Sequence, residues 1–228
     1  MDEEGNVAAL AHEIAVAFAG QAYEMIFVDD ASRDGTGEAL LALKVELPQL
    51  RIVTHARNGG QSRAVMSGVE AARGQVIVTL DGDGQNDPAD GPALVERLRA
   101  GGPGLGMVVG LRARRRDPWS KRLASSLGNG IRRRILRDEA KDTGCGLKAL
   151  PRNVYLRLPY FDHMHRFLPA LVRRQGLDVA FVEVSHRPRM SGRSKYSNLR
   201  RLWASMGDLI GVIWLLNRAR SPGEVTES

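Results

Sequence analysis

Cysteine, aromatic residues and long apolar runs are all scarce in this 228-residue sequence. The single cysteine, Cys145, cannot form an intrachain disulfide, which excludes a disulfide-rich secreted scaffold and favours a reducing compartment. No apolar run reaches the roughly 18–20 residues of a membrane-spanning helix. Together with a composition of 43% hydrophobic and 26% charged residues, these features favour a globular protein located in the cytoplasm.

Charge, by contrast, is plentiful and very unevenly distributed. Residues 1–111 contain 8 Lys and Arg against 16 Asp and Glu, whereas residues 112–220 contain 25 against 8. A strongly basic half indicates a polyanionic partner, which can be nucleic acid, a phosphorylated substrate or an anionic membrane surface. A basic nucleic-acid-binding protein is the alternative class. It is disfavoured because the sequence contains no base-reading motif and only 5% aromatic residues, so we expect no nucleic-acid partner.

Short apolar stretches alternate with segments of helical periodicity through the first half of the chain. This pattern predicts strands over 23–30, 51–55, 76–80 and 106–111, and helices over 6–19, about 36–47, 61–72 and 88–100. Such alternation predicts a parallel α/β sheet covered on both faces. In the second half we predict helices over 119–136, 165–175 and 199–216, and strands near 141–151 and over 179–184. No linker separates the halves, so we expect a single domain over residues 1–228.

The most informative stretch is Val76–Pro88, an apolar segment that leads into Asp81-Gly82-Asp83. The apolar residues predict a fully buried strand. Ligands bind at the carboxyl ends of the strands in open α/β sheets, and carboxylate oxygens suit Mg²⁺ or Mn²⁺ that bridges to substrate phosphates. Gln85 would add an amide oxygen. A solvated turn is the alternative for this motif, whereas an EF-hand loop is excluded because Pro92 stands where that loop requires Glu.

Five motifs occur in an order that resembles the inverting family 2 glycosyltransferases. They are Val28–Thr36, Asn58–Gly60, Asp81–Gln85, Asp142–Cys145 and Arg189–Tyr196. The last motif resembles a narrower group, the polyprenol-phosphate sugar synthases such as dolichol-phosphate mannose synthase and undecaprenyl-phosphate aminoarabinose-type transferases. The resemblance implies a GT-A fold, that is, a Rossmann-like mixed sheet with helices on both faces. It also implies that residues 1–111 bind a nucleotide-sugar and that residues 112–220 bind the acceptor.

The same resemblance implies three groups of site residues. They are donor-binding Asp29, Asp30, Asn58 and Asp81; metal-binding Asp81, Asp83 and Gln85, for Mg²⁺ or Mn²⁺; and acceptor-phosphate-binding Arg112, Thr143, Arg189, Ser194 and Lys195. Catalysis is expected to depend on Asp83, Arg112 and Arg189. The donor would be a UDP- or GDP-linked sugar.

A phosphate acceptor also agrees with the chemistry of the basic residues. A phosphate monoester carries about −1.5 to −2 charge at neutral pH, so it has to be bound and oriented but not deprotonated. The guanidinium group of arginine is suited to that task because it meets phosphate oxygens bidentately. We therefore expect a metal-dependent, inverting sugar transfer to a polyprenyl phosphate at the cytoplasmic face of the cell membrane, with another cell-envelope acceptor as the alternative.

Two histidines and the cysteine are the other reactive side chains considered. His163 and His165 are flanked by Phe161 and Phe167, which favours residues at a helix start or in an acceptor loop over metal ligands. Cys145 has no local partner typical of a nucleophile, so a structural role is predicted for it.

The segment 199–216 carries an apolar stripe with arginines at its ends. Packing of this stripe on the sheet and peripheral attachment to an anionic membrane are both compatible with the pattern. We expect a peripheral membrane protein, held by arginines and by tryptophans at the interface.

The start of the chain is expected to lack one strand. Members of the resembled family begin with a buried strand that runs into Pro-x-x-Asn-Glu-Glu, and Met1–Gly5 resembles only the end of that motif. The strand would lie beside the one predicted over 23–30. Without it, buried backbone groups would lack partners at a cost of about 1–3 kcal/mol each, so we expect the chain as written to be poorly stable and to bind the donor weakly.

Overall fold

The computed structural model describes residues 2–112, 144–185, 187 and 198–218, and the side chains of the last range from Gly207 onward. In the first half the order of elements is α1 (Glu4–Ala17), β1 (Met25–Asp29), α2 (Thr36–Glu46), β2 (Leu50–Thr54), α3 (Gly60–Ala71), β3 (Val76–Thr79), a 3-10 turn (Pro88–Asp90), α4 (Gly91–Ala100) and β4 (Leu105–Arg112). Each element lies within a few residues of its predicted position. The capping residue Asp87 explains the start of the 3-10 turn, because its side chain accepts a hydrogen bond from the backbone N–H of Ala89.

The second half contributes β5 (Lys148–Pro151), α5 (Arg152–Leu156), a 3-10 turn (Met164–Arg166), α6 (Leu168–Arg174), β6 (Asp178–Val184) and α7 (Asn198–Asn217). Helix α5 was not predicted, because five residues are too few to show helical periodicity. The predicted helix over 119–136 lies outside the described residues, as do Thr143, Arg189, Ser194 and Lys195.

The strands form two hydrogen-bonded groups. Strands β1 and β2 pair in parallel, and the other four strands have the order β3-β5-β4-β6. Strand β5 runs antiparallel to both neighbours, whereas β4 and β6 are parallel. Strands β3 and β4 therefore share one direction, as the strand–helix alternation of the first half predicted, and β5 from the second half enters between them in the opposite direction. The mixed sheet implied by the resemblance is confirmed.

The burial of β3 also differs from the prediction. All four residues Val76–Thr79 are half-buried, whereas Leu105–Gly110 of β4 are buried. Strand β4 has neighbours on both sides, but β3 pairs only with β5 among the described strands. In the same described part of the chain β1 pairs only with β2, and the expectation of a further strand beside it stays a prediction.

The core lies on both faces of the four-stranded sheet. Val109 of β4 packs with residues of α3, α5, α6 and α7, and its neighbour Val108 packs with α4 on the opposite face. This division follows from the two-residue alternation of side chains along a strand. A third cluster joins α1 and α2 to β1 and β2 through Val7, Leu40 and Leu50. Helices are thus held against the sheet by buried aliphatic side chains, each contributing about 1.5–3 kcal/mol.

Candidate active site

The loop that follows β3 carries the two predicted metal ligands. Asp81 and Asp83 are half-buried. One carboxylate oxygen of Asp81, Oδ1, accepts a hydrogen bond from the Nε2 group of Gln61 at 2.8 Å. Oδ1 of Asp83 accepts one from the backbone N–H of Gln85 at 3.2 Å. The loop is thus tied both to itself and to the start of α3, which fixes the direction of both carboxylates.

A second segment packs directly against Asp81. A Cβ atom at Gly146 would collide with Oδ2 of Asp81 and lie 2.9 Å from Oδ1 of Asn86, so a larger residue at this position would displace these side chains. The carbonyl group of Gly146 accepts a hydrogen bond from the Thr79 hydroxyl at 2.7 Å. Asn86 is buried and contacts the sulfur of Cys145 at 3.5 Å. The structure therefore places the end of the Asp142–Cys145 motif and the residue after it beside the Asp81–Gln85 motif.

The residues at this site fit a hard divalent cation. Asp81 and Asp83 offer carboxylate oxygens two residues apart, and the space beside Oδ2 of Asp81 is kept clear of side-chain carbon by Gly146. Mg²⁺ and Mn²⁺ are often held by one or two carboxylates together with substrate phosphates and water. Within the described ranges, no group of three His, Cys, Asp or Glu side chains is arranged to hold a metal ion.

Gly146→Ala is expected to weaken Mn²⁺ binding about tenfold or more. The new methyl group would push the Asp81 carboxylate away, and a displaced ligand or supporting group typically costs 10–100-fold in metal affinity. The Mn²⁺ affinity is measured by titration with the ion, and the electron paramagnetic resonance signal reports the concentration of free Mn²⁺. The control is Gly104→Ala, since a Cβ at Gly104 meets nothing within 4 Å. Equal Mn²⁺ affinity in both variants would contradict the predicted metal site.

Asp30 organises the neighbouring loop rather than standing alone at the strand end. Its carboxylate accepts hydrogen bonds from the backbone N–H groups of Gly59 (2.7 Å) and Gly60 (2.9 Å) and from the Asn58 amide (2.8 Å). It also lies 2.7 Å from Nδ1 of His55. Burial by itself would raise the pKa of Asp30, but the hydrogen bonds from Gly59, His55 and Gly60 outweigh it and lower the pKa below its usual value. Asp30 is therefore an ionised, multiply bonded anchor at neutral pH.

Asp29 has a similar role on the other side of the strand end. It is buried, and its Oδ1 accepts a hydrogen bond from the backbone N–H of Ser32 at 3.0 Å. The structure thus gives Asp29, Asp30 and Asn58 a visible part in shaping the loops after β1 and β2. Their contact with a nucleobase stays a prediction.

The first turn of α3 connects these elements. Successive residues reach three different segments: Gly60 bonds to Asp30, Gln61 to Asp81, and the Ser62 hydroxyl to Nδ1 of His165 at 2.8 Å. The predicted donor-binding and metal-binding motifs are therefore brought together by one helix start. Sequence reasoning missed Gln61 and Ser62; their position directly after the Asn58-Gly59-Gly60 motif was the available signal.

His163 and His165 lie at the 3-10 turn Met164–Arg166, which contacts the first turn of α3 through Ser62. Burial, together with the nearby charges of Arg166 and Lys148, lowers the pKa of His165 to about 3. Nδ1 of His163 lies 2.9 Å from Oδ2 of Asp208 on α7. Both rings thus have hydrogen-bonding partners that connect α3, the 164–166 turn and α7.

Arg112 is the one predicted acceptor-phosphate residue within the described ranges. It is the last residue of β4 and pairs with Val184 of β6, where it is half-buried. Its position at the end of a central strand agrees with a role at the same edge of the sheet as the carboxylates.

Residues 3–158 match the family model described as glycosyl transferase family 2. The chain belongs to this family. Over 228 residues it is 34% identical to a dodecaprenyl-phosphate galacturonate synthase of Rhizobium johnstonii, covering 97% of this chain and 67% of the relative. It is 35% identical over 212 residues to an undecaprenyl-phosphate 4-deoxy-4-formamido-L-arabinose transferase of Aeromonas hydrophila, covering 92% of this chain and 64% of that relative. The chain spans about two thirds of the length of these curated relatives.

Solved structures confirm the fold class. Glucosyl-3-phosphoglycerate synthase from Mycobacterium tuberculosis, in complex with Mn²⁺ and UDP-glucose, superposes with a TM-score of 0.71 at 22% identity. The match covers 98% of this family 2 chain and 78% of that structure. At this identity the comparison establishes the fold alone, and it bears out the GT-A architecture implied by the sequence motifs.

Proposed function

We propose that this family 2 chain transfers a sugar from a nucleotide-sugar to a polyprenyl phosphate, with inversion and with Mg²⁺ or Mn²⁺ at the donor diphosphate. The observation that carries the proposal is the convergence of the Asp30 loop, the Asp81–Asp83 loop and the Gly146 segment around the first turn of α3. Two relatives named as polyprenyl-phosphate sugar synthases or transferases support the acceptor. The Mn²⁺ in a structural neighbour supports the metal.

Asp81, Asp83 and Gln85 would hold the metal against the diphosphate. A divalent ion bound there supplies charge neutralisation for the departing nucleoside diphosphate. The loop after β1 and the Asn58–Gly60 loop, both fixed by Asp29 and Asp30, would orient the nucleoside. UDP and GDP sugars are both compatible with this arrangement.

Arg112 and Arg189, with Thr143, Ser194 and Lys195, would bind the acceptor phosphate. One phosphate oxygen attacks the anomeric carbon, a new carbon–oxygen bond forms, and the bond to the diphosphate breaks with its electron pair leaving on the nucleotide. The attacking group is already an anion at neutral pH, so no side chain has to remove a proton. Orientation of the two substrates then supplies much of the rate enhancement.

The deciding experiment is a screen of UDP- and GDP-linked sugars for nucleotide release that requires undecaprenyl phosphate and a divalent ion. The radiolabelled sugar should appear in the lipid fraction as a phosphodiester. Undecaprenol, which lacks the phosphate, serves as the control acceptor. Transfer to undecaprenol, or transfer only to a different cell-envelope acceptor, would contradict the proposed acceptor.

Arg112→Ala should raise the KM for polyprenyl phosphate about ten- to hundredfold while the affinity for the donor stays unchanged. The substitution removes a charge-assisted hydrogen bond worth about 1.5–3 kcal/mol. Arg189→Ala is expected to behave alike, and Arg99→Ala, an exposed arginine on α4, is the control. Initial-rate kinetics with each substrate varied in turn measures both constants. An equal loss of donor affinity would show that Arg112 does not act specifically on the acceptor phosphate.

Helix α7 is proposed to hold the protein at the membrane surface. Its Val212 is buried and its Leu209 and Ile213 pack on the core, whereas Ile210 and Trp214 are 67% and 60% exposed. The guanidinium of Arg218 lies 5.5 Å from the centre of the Trp214 ring. Of the helices described, none is long and apolar enough to cross a bilayer. One face of α7 therefore packs on the sheet and the other is free to enter the interface.

Ile210→Ser with Trp214→Ser should reduce binding to liposomes that contain anionic lipid. The two side chains supply the exposed apolar surface, and binding of the unmodified protein should also fall with added salt because arginines contribute to it. Co-sedimentation measures the bound fraction. Val16→Ser, which removes a 78% exposed valine from α1, is the control. If the unmodified protein fails to bind at low salt, the attachment proposal is refuted.

A further inference from the structure

Arg187 joins helix α1 to the loop that carries Asp81, Asp83 and Gln85, which is called the metal-binding loop below. It lies three residues beyond the end of β6, and its Nη1 atom lies 2.9 and 2.8 Å from the two carboxylate oxygens of Glu13 on α1. Its Nη2 atom donates to Oδ2 of Asp87 at 2.6 Å. Its backbone N–H donates to the carbonyl of Gln85 at 2.9 Å. The side chain and the backbone of Arg187 therefore hold the same loop at two places.

The neighbouring residue strengthens this attachment. The backbone N–H of Ser185 donates to Oδ2 of Asp90 at 2.7 Å. Gln85, a predicted metal ligand, is fixed from both sides, because its N–H bonds to Asp83 and its carbonyl accepts from Arg187. Ser185 and Arg187 thus contact Gln85, Asp87 and Asp90, in the region directly after Asp81 and Asp83.

Electrostatics gives the guanidinium a second effect. Residues 81–90 contain four aspartates, at positions 81, 83, 87 and 90. Like charges at this density repel one another, and a bidentate arginine offsets part of that repulsion while fixing the geometry of its partners. Lysine would supply the charge without the planar, forked set of donors that reaches Glu13 and Asp87 together.

We propose that Arg187 is a positioning residue that sets the geometry of the metal-binding loop by holding Gln85 and Asp87 against helix α1. The carboxylates of Asp81 and Asp83 would then be presented to the metal by a loop whose far end is held by one side chain. This inference rests on the proposed function.

The test compares Arg187→Gln and Arg187→Lys with Arg51→Gln. Arg51 is a matched control because it also forms an ion pair, with Glu24, and has similar exposure. Mn²⁺ affinity is measured in the presence of UDP by the resonance signal of the free ion, alongside kcat, both KM values and thermal unfolding. Arg187→Gln should weaken Mn²⁺ binding by about 10–100-fold, the range typical of residues that support metal ligands. The Mn²⁺ affinity of Arg187→Lys should lie between the affinities of the glutamine variant and the unmodified protein.

Asp87→Asn tests whether the effect runs through the loop. It should reproduce the loss of Mn²⁺ affinity, and combining it with Arg187→Gln should add little. Arg51→Gln should lower the melting temperature without changing Mn²⁺ affinity. If Arg187→Gln melts early yet binds Mn²⁺ and turns over normally, the positioning role is overturned while the proposed function stands. If the unmodified protein binds no Mn²⁺ with UDP and transfers no sugar, the proposed function fails and this inference fails with it.

Discussion

Replacing Asp83 by alanine should lower sugar transfer by about a thousandfold or more while the protein stays folded. In the folded state the Asp83 carboxylate is half-buried in the loop after strand β3 and accepts a 3.2 Å hydrogen bond from the backbone N–H of Gln85, a contact worth about 1 kcal/mol. The role proposed for Asp83 in holding a divalent ion would have a much larger effect on turnover, since a bound metal contributes several kcal/mol of charge stabilisation during transfer. About 4 kcal/mol corresponds to a factor of about a thousand in rate. Turnover and unfolding are therefore expected to separate in this variant.

The measurement combines nucleotide release, Mn²⁺ titration and thermal unfolding of the same preparation. Asp178→Ala provides the control, because Asp178 is an exposed aspartate at the start of β6. Full turnover by the Asp83 variant, or by the unmodified protein in excess EDTA, would exclude the metal site. Loss of the cooperative unfolding transition would instead show that Asp83 is needed for folding.

Local sequence patterns were sufficient to predict the positions of the helices and strands, but not which strands lie next to one another in the sheet. The strands over Met25–Asp29 and Val76–Thr79 were predicted from apolar, β-branched residues, and they form where expected. The full burial predicted for β3 was wrong because burial depends on which strands flank it, and that information lies far away in the chain. The direction of β5 could not be predicted either, since short apolar segments carry no signal for parallel or antiparallel pairing.

The site shows the same division between local and distant information. Asp81 and Asp83 were predicted as metal ligands from their spacing at a strand end, and the structure places both in the loop after β3. The contacts of Gln61 and Gly146 with Asp81 were not predicted, because they cross 20 and 65 residues of sequence. The local signal was only that each residue directly follows one of the quoted motifs. Asp30 was predicted at the strand end, but its hydrogen bonds to the Asn58–Gly60 loop only become visible once β1 and β2 are paired.

Lowering the pH from 7.5 to 5 should destabilise the protein through His165 by about 1–2 kcal/mol. The pKa of this residue in the folded state is about 3, because burial and the nearby Arg166 and Lys148 disfavour the charged ring, whereas an unfolded chain has a value near 6.5. Below pH 6.5 the unfolded state therefore binds a proton that the folded state does not. The stabilisation is complete above pH 6.5 and is lost progressively as the pH falls toward 3, by about 1.4 kcal/mol per unit at most.

His165→Gln should flatten this dependence, because the substituted side chain does not titrate while its amide can still meet Ser62. Urea unfolding at several pH values between 5 and 7.5 gives the slope for each protein. The carboxylates with lowered pKa values, Glu24, Asp30 and Asp34, contribute stability that is lost only below their unfolded values of about 3.8–4.5, so they do not affect this window. His12→Gln is the control, since the His12 side chain is 53% exposed. If His165→Gln has the same slope as the unmodified protein, the pKa of His165 does not differ between the folded and unfolded states. The burial of the ring beside Ser62 would then not disfavour its charged form.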